Sequence, residues 1–344
     1  MAKNFLTAAK CYDFANGYVA CLHETDPEKI PGTIVSAEDS YFTFAECSNG
    51  PWNLVRIQKD KKTNDKTYGF NPHVKPTTVY VVDSYVDIKH PEFEGRASLG
   101  FRNVAGFKNA HGTHVASTIA GYQYGVAKNA KIVSVQVLDD EGRGQWSGLL
   151  QGLSYISNKE AQNTKTVIVN MSIGGGYSKV INKAVDLLVK QGIIVVVAAG
   201  NSATNACQTS PAGSENAITV ASSNKYDSFS SFSNYGSCVD IIGPGEGIRA
   251  AIPNNNYGVM SGTSMAAPHV SGVLANYIGS LKQMQTSPYC ASLYLNSIST
   301  KSSITGALRD TPNNFLYAHD SQFCRQSLLE KWMNFPSPPY GLFE

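Results

Sequence analysis

The sequence predicts an α/β fold with a doubly wound, mainly parallel sheet and helices on both faces. Short apolar, β-branched runs alternate along the chain with longer helical patterns, and this alternation is typical of a parallel sheet. The predicted strands are Thr77–Val82, Lys131–Leu138, Thr166–Met171, Ile193–Ala198 and Ile218–Ala221. The predicted helices are His111–Ala120, Gly144–Asn158, Lys179–Gln191 and Thr263–Ile278.

Polar or glycine-rich segments follow three of these strands. Asp83 comes after the first strand, Gly174 after the third and Asn201 after the fourth. The carboxyl ends of parallel strands share one edge of a sheet, where α/β proteins place their sites. We therefore expect these residues to lie along one edge.

Composition limits the classes of function. The 344 residues can bury a large core and fit one large domain with a small one. A net charge of +2 with only 16% charged residues gives no reason to expect a nucleic-acid partner. No apolar run reaches the length of a membrane span, and the opening residues Met1–Leu6 contain no apolar stretch long enough for a signal peptide. The seven cysteines include no CxxC pair, so thiolate metal binding is not expected.

The block Gly262–His269 (Gly-Thr-Ser-Met-Ala-Ala-Pro-His) places Ser264 at a turn that leads into a helix. Backbone N–H groups at a helix start favour negative charge. A serine hydroxyl also needs a neighbouring base to become a good nucleophile. A base is available in the His-Gly-Thr-His segment that begins at His111, and Asp83 could orient it. Each residue alone has a structural explanation as a cap or core residue, but the order Asp, His, Ser is that of a subtilisin-type triad.

Together these motifs resemble the subtilisin-like serine peptidases, and within them the proteinase K group. The resemblance runs from about Pro51 to about Tyr317. Further matching segments are His90–Arg96, Leu138–Asp140, Ser172–Ser178, Ala198–Asn201, Ser231–Gly236 and Gly243–Gly245.

The resemblance implies a serine endopeptidase that forms an acyl-enzyme. Asp83 would orient His111, and His111 would take the proton of Ser264. We choose His111 over His114 because the family uses the first histidine of this motif. The backbone N–H of Ser264 and the amide of Asn201 would hold the oxyanion. Asn201 could instead be a turn residue after its strand.

Protein or peptide substrates would lie as an extended strand between two glycine-rich edges, where backbones can approach and pair. The residues expected there by resemblance are Gly142, Gly144, Trp146, Ser172, Ile173 and Gly174. A small, uncharged pocket floor is expected from Ala198, Ala199 and Gly200. It suits an apolar or aromatic residue before the cut bond, so specificity should be broad.

The resemblance also implies features that support the structure rather than the chemistry. Cys207 and Cys238 match a disulfide of some relatives, although two buried free thiols are the alternative. Asp240 matches one calcium ligand, although it could simply cap a turn. No cofactor is required for catalysis, and structural calcium is the one candidate ion. A secreted monomer is expected.

The domain prediction has three parts. Residues 1–44 resemble part of an inhibitory propeptide, with strands expected at Asn16–Leu22 and Ile34–Ser40. Residues 45–318 form the peptidase domain, and residues 319–344 form a C-terminal extension. The family's propeptide normally starts with another strand, a helix and a preceding signal peptide, and none of these is evident before Asn16. The segment could be an incomplete propeptide, a shortened one or an unrelated extension.

Two departures from the family pattern bear on activity. Tyr85 and Ser117 stand where relatives usually carry glycine. If Tyr85 needs a positive φ, it pays a steric cost that glycine would not. A subtilisin-like pseudoenzyme that acts as a binding module is therefore the alternative function. A dinucleotide-binding protein is disfavoured because no G-x-G-x-x-G follows the first strand.

Overall fold

The computed structural model of the protein describes residues 10–13, 19–22, 48–59 and 67–318. The predicted strand at Ile34–Ser40 lies outside these residues. The same is true of the junction between Phe44 and Ala45 and of the extension 319–344. No helix within the described part of the chain is long and apolar enough to span a membrane.

The chain divides into two compact units, Met1–Ala45 and Glu46–Glu344. In the first, β1 (Lys10–Asp13) pairs antiparallel with β2 (Val19–Leu22). β2 falls within the segment predicted as a strand. The expectation that no strand precedes it is wrong, because β1 has only four residues and is too short to show a pattern in the sequence.

The second unit contains a nine-stranded sheet together with shorter ribbons. Its strands are β3 (Ser48–Asn49), β4 (Thr67–Tyr68), β5 (Thr78–Asp83), β6 (Ala97–Arg102), β7 (Lys131–Gln136), β8 (Ile168–Met171), β9 (Gly175–Gly176), β10 (Ile194–Ala198), β11 (Thr209–Ser210), β12 (Ile218–Ser223), β13 (Ile241–Pro244), β14 (Ile248–Ile252), β15 (Asn256–Met260), β16 (Thr300–Lys301) and β17 (Asn314–Phe315). The sheet order is β6-β7-β5-β8-β10-β12-β13-β17-β16, and every neighbouring pair except β16 and β17 is parallel. The predicted parallel sheet is thus confirmed.

Helices cover both faces of this sheet. They are α1 (Trp52–Ile57), α2 (His111–Ala120), α3 (Trp146–Glu160), α4 (Lys179–Lys190), α5 (Thr263–Ser280) and α6 (Pro288–Ile298). All four predicted helices are present, but α3 begins at Trp146 rather than Gly144. A Cβ on Gly144 would lie 2.5 Å from the carbonyl oxygen of Val137, so this glycine runs close past the end of β7 instead of entering the helix.

Alternate residues of the central strands pack into two separate cores. Val79 and Val81 of β5 belong to the core that contains α2 and α5, whereas Tyr80 and Val82 belong to the core that contains α3 and α4. Successive side chains of a strand point to opposite faces, so a strand buried on both sides is apolar throughout. This explains why the predicted strands are continuous apolar runs.

The strand order reverses at β5, which lies between β7 and β8. Ligands of doubly wound folds bind outside the carboxyl ends of the strands at such a reversal. Asp83 is the last residue of β5, and the segments after β8 and β10 begin at the same edge. The three segments predicted to share an edge therefore do so.

Candidate active site

Asp83 and His111 form a hydrogen-bonded pair at the strand reversal. The side chain of Asp83 is fully buried, and its Oδ1 lies 2.7 Å from Nδ1 of His111. The His111 side chain, the first of α2, stays 28% exposed. Burial lowers the pKa of His111, but the attraction and hydrogen bond of Asp83 outweigh it, so the pKa is raised above 6.5. Because Nδ1 faces a carboxylate, it carries the hydrogen, and Nε2 of the neutral ring can accept a proton.

Two polar side chains that sequence reasoning missed fix the start of α2. Oδ1 of Asn109 accepts the backbone N–H of His111 at 2.9 Å, and Oγ of Ser84 accepts that of Gly112 at 2.9 Å. A Cβ on Gly112 would lie 2.5 Å from the carbonyl oxygen of Ser84, so only glycine permits this approach. Asparagine and serine just before a helix are ordinary cap signals, and that signal could have found Asn109.

His114 has a different environment. It is fully buried, and its Nε2 lies 2.9 Å from the carbonyl oxygen of Ile248. Burial lowers its pKa to about 4, so this ring is neutral at neutral pH. The geometry therefore favours His111 as the histidine paired with the carboxylate.

Neither departure from the family pattern strains this region. Tyr85 is not among the described non-glycine residues with positive φ. The steric cost that a positive φ would impose on a tyrosine therefore does not arise. Its carbonyl oxygen accepts the hydroxyl of Thr113 at 3.3 Å, and its ring packs edge-to-face on Phe107. Ser117 accepts the backbone N–H of Ala251 at 3.0 Å, and its own hydroxyl donates to the buried carboxylate of Glu92 at 3.4 Å.

Ser264 is the second residue of α5, and this helix packs against α2. Its side chain is half-buried. The hydroxyl donates to the carbonyl oxygen of Ser172 at 3.1 Å, and the carbonyl oxygen of Ser264 accepts the hydroxyl of Ser172 at 2.8 Å. Among the described residues, no hydrogen bond joins the Ser264 hydroxyl to His111.

The amide of Asn201 is oriented by the residue before Ser264. Its Oδ1 accepts both the backbone N–H of Thr263 at 2.8 Å and the hydroxyl of Thr263 at 2.9 Å. The exposed Asn201 side chain thus has its oxygen bound to α5 and its Nδ2 available as a donor. Thr263 also accepts the backbone N–H of Gly200 at 3.0 Å.

Asn234, another residue missed in the sequence, organises the backbone around Asn201. It is buried, and its Nδ2 donates to the carbonyl oxygen of Ala199 at 2.8 Å. Its Oδ1 accepts the backbone N–H groups of Ser202 and Thr204 at 3.0 and 3.1 Å. A Cβ on Gly200, whose φ is +104°, would lie 2.4 Å from Asn234 Nδ2. Asn234 therefore ties three backbone groups of the loop after β10 together.

The predicted peptide-binding segments lie at the same edge. Gly142, Gly144 and Gly174 are exposed, whereas Ser172, Ala198 and Ala199 are buried. Ile173 and Gly200 are half-buried. The half-buried ring of Trp146 lies against Gly175, where a Cβ would come within 2.8 Å of it. Of these segments, Ser172 bonds directly to Ser264, and Gly200 bonds to the neighbouring Thr263.

Two further predicted features lie elsewhere. Cys207 and Cys238 form a disulfide with their Cα atoms 5.3 Å apart. Oδ2 of Asp240 accepts the backbone N–H of Thr219 at 2.7 Å. No three His, Cys, Asp or Glu side chains in the described part of the chain are grouped as metal ligands, so a cation at Asp240 would depend mainly on backbone carbonyl oxygens.

Comparison with known proteins agrees with this geometry. The Subtilase family (peptidase S8) matches residues 75–312. The cuticle-degrading protease of Metarhizium anisopliae is 40% identical over 284 residues, which are 80% of this chain and 71% of that protein. Proteinase R of Parengyodontium album is also 40% identical, over 80% of this chain and 73% of its own length.

A solved structure shows the same fold. A cold adapted subtilisin-like serine proteinase, 40% identical, superposes with a TM-score of 0.74 and covers 80% of this chain and 100% of its own. The resemblance inferred from the motifs is therefore confirmed. The chain belongs to the subtilase family and is a subtilisin-like serine endopeptidase that needs no cofactor for catalysis.

Proposed function

We propose that the protein cleaves peptide bonds through a triad of Asp83, His111 and Ser264. The observation that carries this proposal is the 2.7 Å pairing of a fully buried carboxylate with a partly exposed histidine whose Nε2 is free to accept a proton. The intact pair gives the pseudoenzyme alternative no support.

The mechanism follows from these positions. The Ser264 hydroxyl turns from the Ser172 carbonyl, gives its proton to Nε2 of His111, and its oxygen attacks the substrate carbonyl carbon. Asp83 stabilises the imidazolium and remains ionised. The imidazolium then protonates the leaving amine as the carbon–nitrogen bond breaks. A water that loses a proton to His111 then attacks the acyl carbon. The imidazolium returns that proton to Oγ of Ser264 as the ester bond breaks, which releases the acid product and restores the enzyme.

The amide of Asn201 and the backbone N–H of Ser264 would hold the negative oxygen of the tetrahedral intermediate. We expect Asn201→Leu to lower kcat by about 10²–10³-fold with little change in KM, as loss of the comparable donor does in subtilisin. Steady-state kinetics on a peptide amide measure this. Asn205→Leu is a control in the same loop, because that side chain caps Cys207 instead. An unchanged kcat in Asn201→Leu would remove Asn201 from the oxyanion site.

The direct test of the nucleophile is a serine-directed phosphonate. It should stop hydrolysis, and mass spectrometry should find one adduct on Ser264. An active enzyme that is labelled elsewhere, or not at all, would contradict the triad.

The small floor of Ala198, Ala199 and Gly200 has no carboxylate to attract lysine or arginine, so we propose a preference for apolar or aromatic residues before the cut. A panel of peptides that differ only at that residue tests it. A higher kcat/KM for lysine than for phenylalanine would contradict it.

We propose that residues 1–44 are a partial propeptide that is cut from the enzyme at the bond between Phe44 and Ala45. Phe44 suits the uncharged pocket, and the enzyme would cut this bond itself in cis. N-terminal sequencing should then find a start within a few residues of Ala45 in the wild type but not in Ser264→Ala. A fully active, uncut chain of residues 1–344 would show that this segment is no propeptide.

We further propose that the protein is a secreted monomer with one structural calcium ion at Asp240. The disulfide fits an oxidising compartment. Calcium would raise the midpoint of thermal unfolding of the wild type and not of Asp240→Asn.

A further inference from the structure

The first turn of α5 lacks one of its own backbone hydrogen bonds. Pro268 has no N–H, so it cannot bond to the carbonyl oxygen of Ser264 four residues earlier. That oxygen is instead bound by the hydroxyl of Ser172 at 2.8 Å. The turn that carries Ser264 therefore depends on side chains for its geometry.

A second side chain, that of His269, binds the backbone of this turn at Met265, the residue after Ser264. The ring is fully buried, and its Nδ1 lies 2.7 Å from the carbonyl oxygen of Met265. A carbonyl oxygen can only accept, so Nδ1 carries the hydrogen. Burial lowers the pKa of His269 to about 4, and the nearby His114 is also neutral, so Nε2 of His269 presents a lone pair.

Asn53 of α1 donates to that lone pair. Its Nδ2 lies 2.7 Å from Nε2 of His269, across 216 positions of sequence, and only 1% of Asn53 is exposed. A salt bridge also holds α1 in place, since Nε of Arg56 lies 2.8 Å from Oδ1 of Asp227. A buried chain of two hydrogen bonds thus runs from α1 through His269 to the residue that follows Ser264.

We propose that Asn53 is a positioning residue for the nucleophile, acting through His269 on the first turn of α5. It touches no substrate and no reacting atom. This inference rests on the proposed role of Ser264. Under this proposal, α1 stabilises the turn that carries Ser264 through the hydrogen bond from Asn53 to His269.

The expected kinetic signature is a loss in kcat without a matching loss of substrate binding. The proposed peptide-binding edges lie at residues 142–144 and 172–174, whereas the described side-chain hydrogen bonds of α1 go to other segments. Misplacement of a nucleophile slows the chemical step while the ground-state complex is kept. Without the Asn53 donor, Nε2 of His269 is buried and unpaired, and the ring is free to tilt from Met265.

The test compares two substitutions with a matched control. Asn53→Leu keeps most of the packing and removes the donor. Gln58→Ala also loosens α1, because Gln58 caps this helix and exchanges hydrogen bonds with the backbone of Gly69. The described hydrogen bonds of its side chain do not extend to α5. Active enzyme is counted with the serine-directed phosphonate, so that unfolded protein does not enter kcat. We expect kcat to fall about tenfold in Asn53→Leu, equivalent to about 1.4 kcal/mol, and to stay unchanged in Gln58→Ala.

Asn53→Asp adds a second test, the pH dependence of kcat. A residue that only stabilised the fold would not change this dependence. When the new carboxylate and His269 share a proton, a hydrogen bond joins them and Nδ1 still donates to Met265. As pH rises and that proton leaves, the carboxylate faces a lone pair and the contact is lost. The kcat of Asn53→Asp should therefore fall with rising pH over a range in which the wild type and Asn53→Leu are level.

The outcomes separate the two proposals. If the phosphonate labels Ser264 but Asn53→Leu keeps full kcat, or merely loses thermal stability as Gln58→Ala does, Asn53 has no positioning role. A kcat profile of Asn53→Asp parallel to that of the wild type would also overturn it. If wild-type Ser264 is not labelled, the proposed nucleophile itself is wrong.

Discussion

Ser264→Ala is expected to abolish proteolysis while the domain still folds. Removal of the nucleophilic serine costs about 10⁶-fold in kcat in subtilisin, a member of the same family. The substitution removes a single oxygen from a half-buried side chain, whose main contact is with the carbonyl oxygen of Ser172. The thermal midpoint should therefore change little when both proteins are produced in the same way.

Hydrolysis of a peptide amide, measured on protein purified under protease-free conditions, checks this result. Ser261→Ala is the matched control, because Ser261 lies just before α5 and its Oγ accepts the backbone N–H of Gly247. It should keep its activity. Residual activity of Ser264→Ala above about one per cent of the wild type would mean that another residue is the nucleophile.

Asp83→Asn is expected to lower kcat by about 10⁴-fold, as removal of the triad carboxylate does in other serine proteases. An asparagine can offer its amide N–H groups to His111, which favours the wrong tautomer. It also removes the negative charge that raises the pKa of His111. Both effects act on the base and not on the substrate groove.

The pH dependence provides an independent check. His111 must be neutral to accept a proton, so kcat/KM falls as pH drops through its pKa. In the wild type that decline should lie above pH 6.5, because the pKa is raised. In Asp83→Asn the residual activity should decline at a lower pH. Asp186→Asn, at a carboxylate that binds Ser214 instead, should leave the profile unchanged. An unshifted profile in Asp83→Asn would contradict the pairing.

Most of the central fold could be predicted from the sequence. The five predicted strands are β5, β7, β8, β10 and β12, with ends that differ by no more than two residues from the structure. A strand that is buried on both faces is a continuous run of apolar residues. In a helix, apolar residues recur every three to four positions, so the two patterns can be told apart in the sequence. Several other strands and helices were not predicted. The two-residue strands and β1 are too short to carry a period, and the longer elements missed are β6, β13, β14, β15, α1 and α6.

The sequence by itself also determined which residues are candidates for chemistry. Asp83, His111 and Ser264 follow one another along the chain in the order of a subtilisin-type triad. Each of them lies in a short segment whose other residues also match the family pattern. These short segments can be recognised because local structure limits which residues fit. A tight turn or a close approach of two backbones needs glycine, and a helix start favours particular polar residues.

Only the tertiary structure decided how these residues are held. It set His111 against Asp83 and His114 against a carbonyl oxygen 134 positions away, and it showed that Tyr85 needs no positive φ. It also revealed Asn234 and Asn53, whose partners lie 35 and 216 positions away. Sequence patterns report local conformation and burial, whereas the hydrogen-bond partner of a buried amide depends on which distant segments the fold brings together.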